Sequence, residues 1–381
     1  MTRYAYNISD YRKLAKKRIP KGIFEYIDRG SENEIALNRN REDFDCIEII
    51  PRFLRDVHSV DTATCILGCT YQTPLIVAPT AFSGLVWNNG EQLIARAAGH
   101  LGVPTCVAMM SITPLEMIAQ GTTVPPWFQL YFWKNREKTY NLIKRVETAG
   151  IDKLIITVDG PVRANREYNG RNGFGMPFRF SCRSILDLAR HPSWLVSTIL
   201  PHLWETGLPS LVHYPTNAQP NILHAPNDGS IGLANDLTWE DIKTLRDKWR
   251  GKILLKGILD VEDALLAKSI GVDGLVLSNH GGRNLDSSPS ALSVLAQILQ
   301  HVGKDMTLLV DGGIMRGSDI FKAVALGASG VLAGRAPLWG LAAKGEEGAR
   351  AAISILIQEF KTTMALAGCR NISEAKKIHI T

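Results

Sequence analysis

The segment Ser278-Asn279-His280-Gly281-Gly282-Arg283-Asn284-Leu285-Asp286 sets an imidazole and a guanidinium on either side of two glycines. A histidine changes protonation near neutral pH, as a general base must. An arginine three positions on can grip a carboxylate through two parallel N–H···O bonds. The glycines let the chain turn tightly and approach a ligand closely. Two further segments, Asp311-Gly312-Gly313-Ile314-Met315-Arg316-Gly317 and Ala333-Gly334-Arg335, set glycine amides ahead of helices. That is how many proteins bind a phosphate. Ser318 stands where it would cap the first of those helices. A base, a carboxylate grip and a phosphate cradle together suggest a phosphorylated cofactor beside an acidic small molecule.

These residues sit at the ends of β-rich runs, and the runs recur. Residues 74–79, 103–109, 127–132, 153–159, 253–256, 274–278, 307–311 and 330–334 read as strands. Segments with helical period follow them at 89–102, 114–120, 136–149, 239–249, 261–270, 290–301, 319–326 and near 349–367. Thr238 and Asp241 form a capping-box pattern ahead of the fourth helix. Several runs are apolar almost throughout, as strands buried on both faces of a parallel sheet are. Eight such units, with no GxGxxG after the first strand, favour a closed (β/α)8 TIM barrel over an open doubly wound sheet.

Chemistry in such a barrel gathers at the C-terminal ends of the strands. The polar residues there are Gln129 and Tyr131, Thr157 and Asp159, Lys256, Asn279 and His280, Asp311, and Arg335. So many on one rim mark it as the expected catalytic site, with a structural, loop-bound His280 as the bland alternative.

Two regions lie outside the repeat. Residues 1–70 hold one or two helices that cap the barrel, and the barrel is expected over 71–368 of a single 1–381 domain. Residues 160–237 form an insertion after strand four, too long for an ordinary connection. Its stretch 178–214 mixes Arg179, Arg183 and Arg190 with Trp194, Trp204 and aliphatic residues. That composition suits a helix lying in a membrane surface, and equally a packed helix or an oligomer contact.

Composition narrows the class. The 381 residues carry a formal charge of +6, with 45% apolar and 21% charged residues, as in an ordinary soluble protein. The modest positive balance suits anionic small molecules, and no nucleic-acid motif is present. Six scattered cysteines, without CxxC or zinc spacing, read as reduced thiols and give no metal site. The N-terminus has no secretory pattern, and no apolar run is long enough to span a bilayer. A cytoplasmic protein is expected, with peripheral contact on the inner membrane face left open.

The segments SNHGGRNLD, DGGIMRGSD with GRAPLW, FQLY and TVDGPVRANRE resemble the FMN-dependent 2-hydroxy-acid oxidase and dehydrogenase family, over nearly the whole chain. The resemblance implies an enzyme that oxidises an L-2-hydroxy acid to the 2-keto acid. It implies FMN as cofactor, quinone or oxygen as electron acceptor, and a homotetramer. By that likeness His280 is the base and Asp159 orients it. Arg283 and Arg166 hold the substrate carboxylate. Tyr26 and Tyr131 are phenols beside the substrate. Lys256 stands beside the flavin N1 and O2. Gln129 and Thr157 contact the flavin ring, and Pro79, Thr80 and Ala81 line its face. Asp311, Gly312, Gly313, Gly334 and Arg335 meet the ribityl chain and phosphate.

The chain departs from the family pattern at three of its expected cofactor contacts. Ala108 stands where many members have a flavin-contacting Ser, and Met315 where the glycine loop usually continues with Arg. Ala81 resembles the oxidases, whereas the dehydrogenase branch has Gly there. The first two remove polar contacts, so weaker FMN binding or a shifted redox behaviour is expected. They also keep open a non-catalytic flavin-binding protein, with a non-redox FMN barrel as a further alternative. Ala81, Met110 and the loop 169–176 are expected to shape the pocket for the substrate's side chain, with a lean towards larger or aromatic acids.

Overall fold

The structure is a computed structural model and describes residues 5–175, 177–226 and 228–381, the side chain of Asn217 excepted. Eight parallel strands form its centre: β1 (Leu75–Val77), β2 (Cys106–Ala108), β3 (Trp127–Leu130), β4 (Lys153–Thr157), β5 (Lys252–Lys256), β6 (Gly274–Ser278), β7 (Thr307–Asp311) and β8 (Gly330–Ala333). Their order is β1-β8-β7-β6-β5-β4-β3-β2. A parallel bridge from Val77 to Thr105 joins the first strand to the approach of the second, and the Val77 N–H donates to Pro104 at 2.9 Å. The ring is therefore closed, and the chain is a (β/α)8 TIM barrel.

Alternation along each short strand divides its side chains between two layers. Ile76, Cys106, Trp127, Ile155, Leu254, Val276, Leu309 and Leu332 pack together in one cluster. Their neighbours, among them Val77, Val107, Phe128, Leu154, Leu255 and Leu277, join the larger core with the surrounding helices. A hairpin, Thr64–Ile66 with Cys69–Tyr71, adds Ile66 and Tyr71 to the first cluster, where the Trp127 indole N–H donates to the Tyr71 hydroxyl at 3.3 Å.

The N-terminal region holds three helices, Ile8–Arg18, Lys21–Asp28 and Ile35–Cys46, where one or two were expected. The extra boundary lies at Pro20, which starts the short second helix, and Ile23, Phe24 and Ile27 bury its apolar face. The third helix opens on Glu34 in a left-handed conformation, with no cap from its own side chain. Asp286 supplies the cap from across the molecule, accepting from the Asn33 and Ala36 amides at 3.1 Å each.

Two expected helix starts are corrected. Ser318 is not a cap: the helix Gly317–Ala325 begins after Arg316, with Ser318 in its first turn. The Asp319 carboxylate reaches back to the Met315 and Arg316 amides at 2.9 and 2.8 Å, a stronger acceptor than a hydroxyl. The last helix starts at Arg335, directly after β8, and runs to Leu366 across a break at Lys344 and Gly345. Gly345 (φ 61°) lets the break pack against the Trp87 ring, which a side chain there would meet at 3.0 Å.

In the insertion, helices span Glu167–Asn172, Cys182–Ala189 and the stretch from Pro192 to Glu205. The last contains a wider turn at Leu195–Ile199, just ahead of Pro201, whose missing N–H disturbs the regular ladder. It is held to the barrel by the Trp194 indole N–H on the Leu85 carbonyl (2.8 Å) and by Arg18. The Arg18 guanidinium stacks on Trp87 and donates to the Ala342 carbonyl (2.9 Å) and to Ser197. Among the described residues no helix is long and apolar enough to cross a membrane.

Removing the buried Asp286 carboxylate leaves two amides at the entry to the third helix, those of Asn33 and Ala36, without partners. Asp286→Ala should destabilise the protein by about 1–2 kcal/mol, read from the denaturation midpoint, whereas an unchanged midpoint would show that the cap helix needs no such anchor.

Candidate active site

Strand β6 ends in Ser278, which accepts from the Lys256 ammonium (2.9 Å) and the His280 amide (2.9 Å) and donates to Asp311 (2.7 Å). Lys256 and Asp311 also pair directly at 2.9 Å. One buried hydroxyl thus ties the ends of β5, β6 and β7 together. Beyond it the chain passes through three left-handed residues, His280 (φ 60°), Gly281 (φ 64°) and Gly282 (φ 73°). Glycine takes up that conformation freely, but for histidine it is a strained one, found mostly at functional sites.

The turn aims the His280 ring at Asp159, just past β4, with Nδ1 2.8 Å from the carboxylate. An anionic Asp159 accepts the Nδ1 proton, which leaves Nε2 as the basic nitrogen. Burial lowers the His280 pKa, Asp159 raises it and Lys256 lowers it, with a net shift below the ordinary value of 6.5. The ring is accordingly neutral at neutral pH and can take a proton. Burial opposes ionisation of Asp159 too, but His280 and Lys256 hold its pKa below the usual carboxylate range. Burial likewise disfavours a charged Lys256, and Asp311 and Asp159 outweigh it, so the lysine is a cation.

Above these strand ends lies a cavity of about 1030 Å³. His280, Lys256, Tyr26, Tyr131, Arg166 and Arg283 all line it. So do Pro79, Thr80, Ala81, Ala108, Gln129 and Thr157, and on a further side Asp311, Gly312, Gly313, Met315, Gly334 and Arg335. Asp159 stands behind His280. The sequence-expected residues are thus brought to one place. The Gln129 amide bonds to the Thr157 hydroxyl at 3.0 Å. Burial, with Asp159 and Tyr26 nearby, pushes the Tyr131 phenol well up, so it is a hydrogen-bond donor.

The arginines carry the strongest electrostatic signal. Among the described residues, Arg166, Arg283 and Arg335 form no ion pair with any acidic side chain. Their donors go to neutral acceptors instead. Arg166 binds the Arg283 carbonyl (2.9 Å) and Asn284 (3.2 Å). Arg283 binds the carbonyls of Tyr26 and Arg29 while lying over the Tyr26 ring. Arg335 binds those of Ile27 and Gly281 at 3.0 Å each. Burial and then Arg283 lower the pKa of both Arg166 and Arg335, the latter to about 10. Part-buried cations with satisfied hydrogen bonds but no counter-charge make a site for anions.

Several expectations are refined. Residues 169–172 of the loop 169–176 belong to the helix Glu167–Asn172, Phe174 stacks on Tyr26 at 4.5 Å, and Met176 lies outside the described residues. Met315 lines the cavity, while the neighbouring Arg316 turns outward to Glu359 at 3.1 Å. No arginine of that loop reaches inward, in keeping with the expected loss of a polar contact. Sequence reasoning missed the tie made by Ser278 and the bridge of Asn284, whose amide also donates to the Asp159 carbonyl at 2.8 Å. Both belong to the motif already singled out, and their flanking of His280 was the available signal. Among the described residues no group of three or more His, Cys, Asp or Glu could hold a metal ion.

A flavin mononucleotide fits this donor set. In the described structure the amides of Gly312 and Gly313 donate to no other protein atom, and Arg335 opens a helix beside them. Together they make a cradle for a phosphate. The Lys256 cation offers charge compensation deeper in the cavity.

The family model for FMN-dependent dehydrogenase matches residues 15–381. The chain is 38% identical to a putative L-lactate dehydrogenase of Mycobacterium tuberculosis, over 99% of this chain and 89% of that one. It is 36% identical to a peroxisomal (S)-2-hydroxyacid oxidase of Arabidopsis thaliana, over 98% and 96%. A crystal structure of the monotopic membrane protein (S)-mandelate dehydrogenase superposes with a TM-score of 0.90 at 35% identity, covering 98% of each chain.

The Asp159 charge raises the His280 pKa, so Asp159→Asn should lower it further below 6.5. An NMR titration of the imidazole reads this directly. An upward shift in the variant would mean that His280 and Asp159 are not electrostatically coupled as the geometry requires.

Proposed function

From the premise that this chain belongs to the FMN-dependent dehydrogenase family, we propose that it oxidises an L-2-hydroxy acid to the 2-keto acid with His280 as the base. One observation carries the reading. A neutral, Asp159-oriented imidazole and two guanidinium groups without acidic partners line the same cavity. A base beside an anion grip is what abstraction from a hydroxy carboxylate needs.

FMN, when bound, supplies the two-electron acceptor. Gly312, Gly313 and Arg335 are the residues proposed to hold its phosphate, and Lys256 to compensate negative charge on its ring. Arg166 and Arg283 hold the substrate carboxylate, with Tyr26 and Tyr131 donating to the carboxylate and hydroxyl. His280 Nε2 takes the proton, from carbon or from oxygen, and Asp159 then faces an imidazolium rather than a neutral ring. That charge pair lowers the barrier in a buried site. The wall of Tyr26, Phe174 and Phe82, with Tyr26 and Phe82 in edge contact at 5.6 Å, supports larger or aromatic side chains on the substrate.

The outer face of the insertion supports peripheral attachment to the cytoplasmic side of a membrane. Val196, Leu200, Leu203 and Trp204 are exposed on one helix, Trp204 to 93%, and Ile185 and Leu186 on the helix before it. Arg183 and Arg190 flank the latter. Exposed apolar groups beside arginines suit a helix lying in an anionic interface. The relative of known structure is itself described as monotopic. A lipid-soluble quinone is the acceptor this placement favours. Oxygen remains the alternative, with Ala81 on its side.

Two experiments test the reading. The yellow holoprotein should bleach anaerobically with an L-2-hydroxy acid, and His280→Ala should slow that reduction by at least about 10²–10⁴-fold. A variant reducing its flavin at the parental rate would remove His280 from the mechanism. In flotation with anionic vesicles the parent should rise with the lipid, and a Leu200→Ser, Trp204→Ser variant should stay behind. A parent that remains soluble, with oxygen uptake equal to substrate turnover, would instead make the protein an oxidase.

A further inference from the structure

We infer that Asn40, on the third N-terminal helix, is a positioning residue that holds the His280 turn and the Gly312–Gly313 loop in one arrangement. This rests on the role proposed for His280. Asn40 is 2% exposed and makes a reciprocal amide pair with Asn279, each Nδ2 donating to the other's Oδ1 at 2.8 Å. Asn279 also accepts from the Gly282 amide at 3.0 Å and donates to the Pro289 carbonyl at 3.0 Å. Its two donor and two acceptor capacities are therefore all in use. The bond to Gly282 spans the left-handed run that begins at His280. A non-glycine residue stays in that region only where its surroundings over-determine it, and here the over-determining contact is Asn279 fixed by Asn40.

The other side of Asn40 meets the second loop. A Cβ added to Gly312 would come within 3.3 Å of Asn40 Nδ2, and one added to Gly313 within 2.2 Å of the Asn40 carbonyl. Asn40 thus stands between two loops: its side chain bonds to the turn that presents the base, and its amide and backbone carbonyl leave room only for glycine at 312 and 313. If the Asn40 amide is lost, one buried N–H and one buried lone pair of Asn279 lose their partners, and only the bonds to Gly282 and Pro289 remain. Re-pairing of Asn279 then releases the Gly282 amide, and His280 relaxes from φ 60° away from Asp159.

The test uses holoprotein carrying Asn40→Leu, close in volume but without hydrogen bonds, and Asn40→Asp, which keeps one acceptor towards Asn279 and loses the donor. Three quantities are read: the anaerobic reduction rate per bound flavin, the FMN dissociation constant from flavin fluorescence, and the His280 titration by NMR. In Asn40→Leu the rate per flavin should fall by about 100-fold, as a misplacement of roughly 1 Å does. FMN should bind more weakly, and the His280 pKa should move up towards the ordinary imidazole value as the ring leaves Asp159, Lys256 and Arg166 for solvent. Asn40→Asp should fall between the two, and it carries the test alone if Asn40→Leu does not fold. A rate loss explained entirely by flavin-free or unfolded protein, with an unchanged His280 titration, would reduce Asn40 to a packing residue. If the parent fails to bleach with any 2-hydroxy acid, the proposed activity falls, whereas the titration and the FMN affinity still decide the role of Asn40.

Discussion

Positive charge drawn into a cleft, on a buried lysine and three part-buried arginines, is the constraint on which the rest of the structure turns. The mouth of the barrel gathers Lys256, Arg166, Arg283 and Arg335, and the acids facing them are Asp159, Asp311 and Asp28, the last held by Arg12 at 2.6 and 2.7 Å. Asp311 is taken up by Lys256 and Asp159 by His280. The three guanidinium groups are left to carbonyls of Tyr26, Ile27, Arg29, Gly281 and Arg283. A carbonyl satisfies an N–H group without cancelling its charge. The site therefore removes the hydrogen-bonding part of the burial penalty and keeps the Coulombic part, which only an incoming anion relieves. Anionic groups entering the cavity, such as a carboxylate or a phosphate, meet that demand.

This arrangement makes the N-terminal helices part of the site, since most of those carbonyls come from the end of the second helix and the turn after it. The third helix enters through Asp286, and Ser31 joins its N-terminal turn to the base loop, with the Ser31 amide on the Gly282 carbonyl at 2.9 Å and its hydroxyl on that of Asn284 at 2.7 Å. Each contact runs from the cap to residues 279–286. The loop that carries the base cannot reach its observed shape unless the cap has docked. Conversely, the third helix, which opens on a left-handed Glu34, has no adequate start until Asp286 arrives.

The barrel was legible because parallel strands buried on both faces leave almost unbroken apolar runs. The strands 274–278 and 307–311 and the helix 261–270 coincide with the elements read from sequence. The site was legible for a related reason, since polar residues at strand ends stand out against those runs. What escaped depends on which acceptor wins locally or on partners distant in sequence. The start of the helix after β7 is set by Asp319 reaching back, and the cap of the third helix by a residue some 250 positions away. Asn40 carries no local signature, because an asparagine in a helix is usually just solvated. His213 is similar. It lies in the irregular insertion, yet burial pushes its pKa down to about 4, its Nδ1 meets the Met109 carbonyl at 3.1 Å, and its ring meets Phe128 edge-on. Only the folded chain shows it pinning the insertion to the barrel.

The insertion then joins two surfaces that a plain barrel would keep apart. Its inner residues reach the cavity, where Phe174 stacks on Tyr26 and leads through Phe178 to Phe180 by ring contacts at 5.1 and 6.2 Å. Its outer helix exposes aliphatic and tryptophan side chains to the surroundings. Rigid attachment at Trp194, Arg18 and His213 means that the outer face cannot be displaced without loading the same anchors. The exposed outer helix and the aromatic wall of the cavity are, on this geometry, two ends of one structural element.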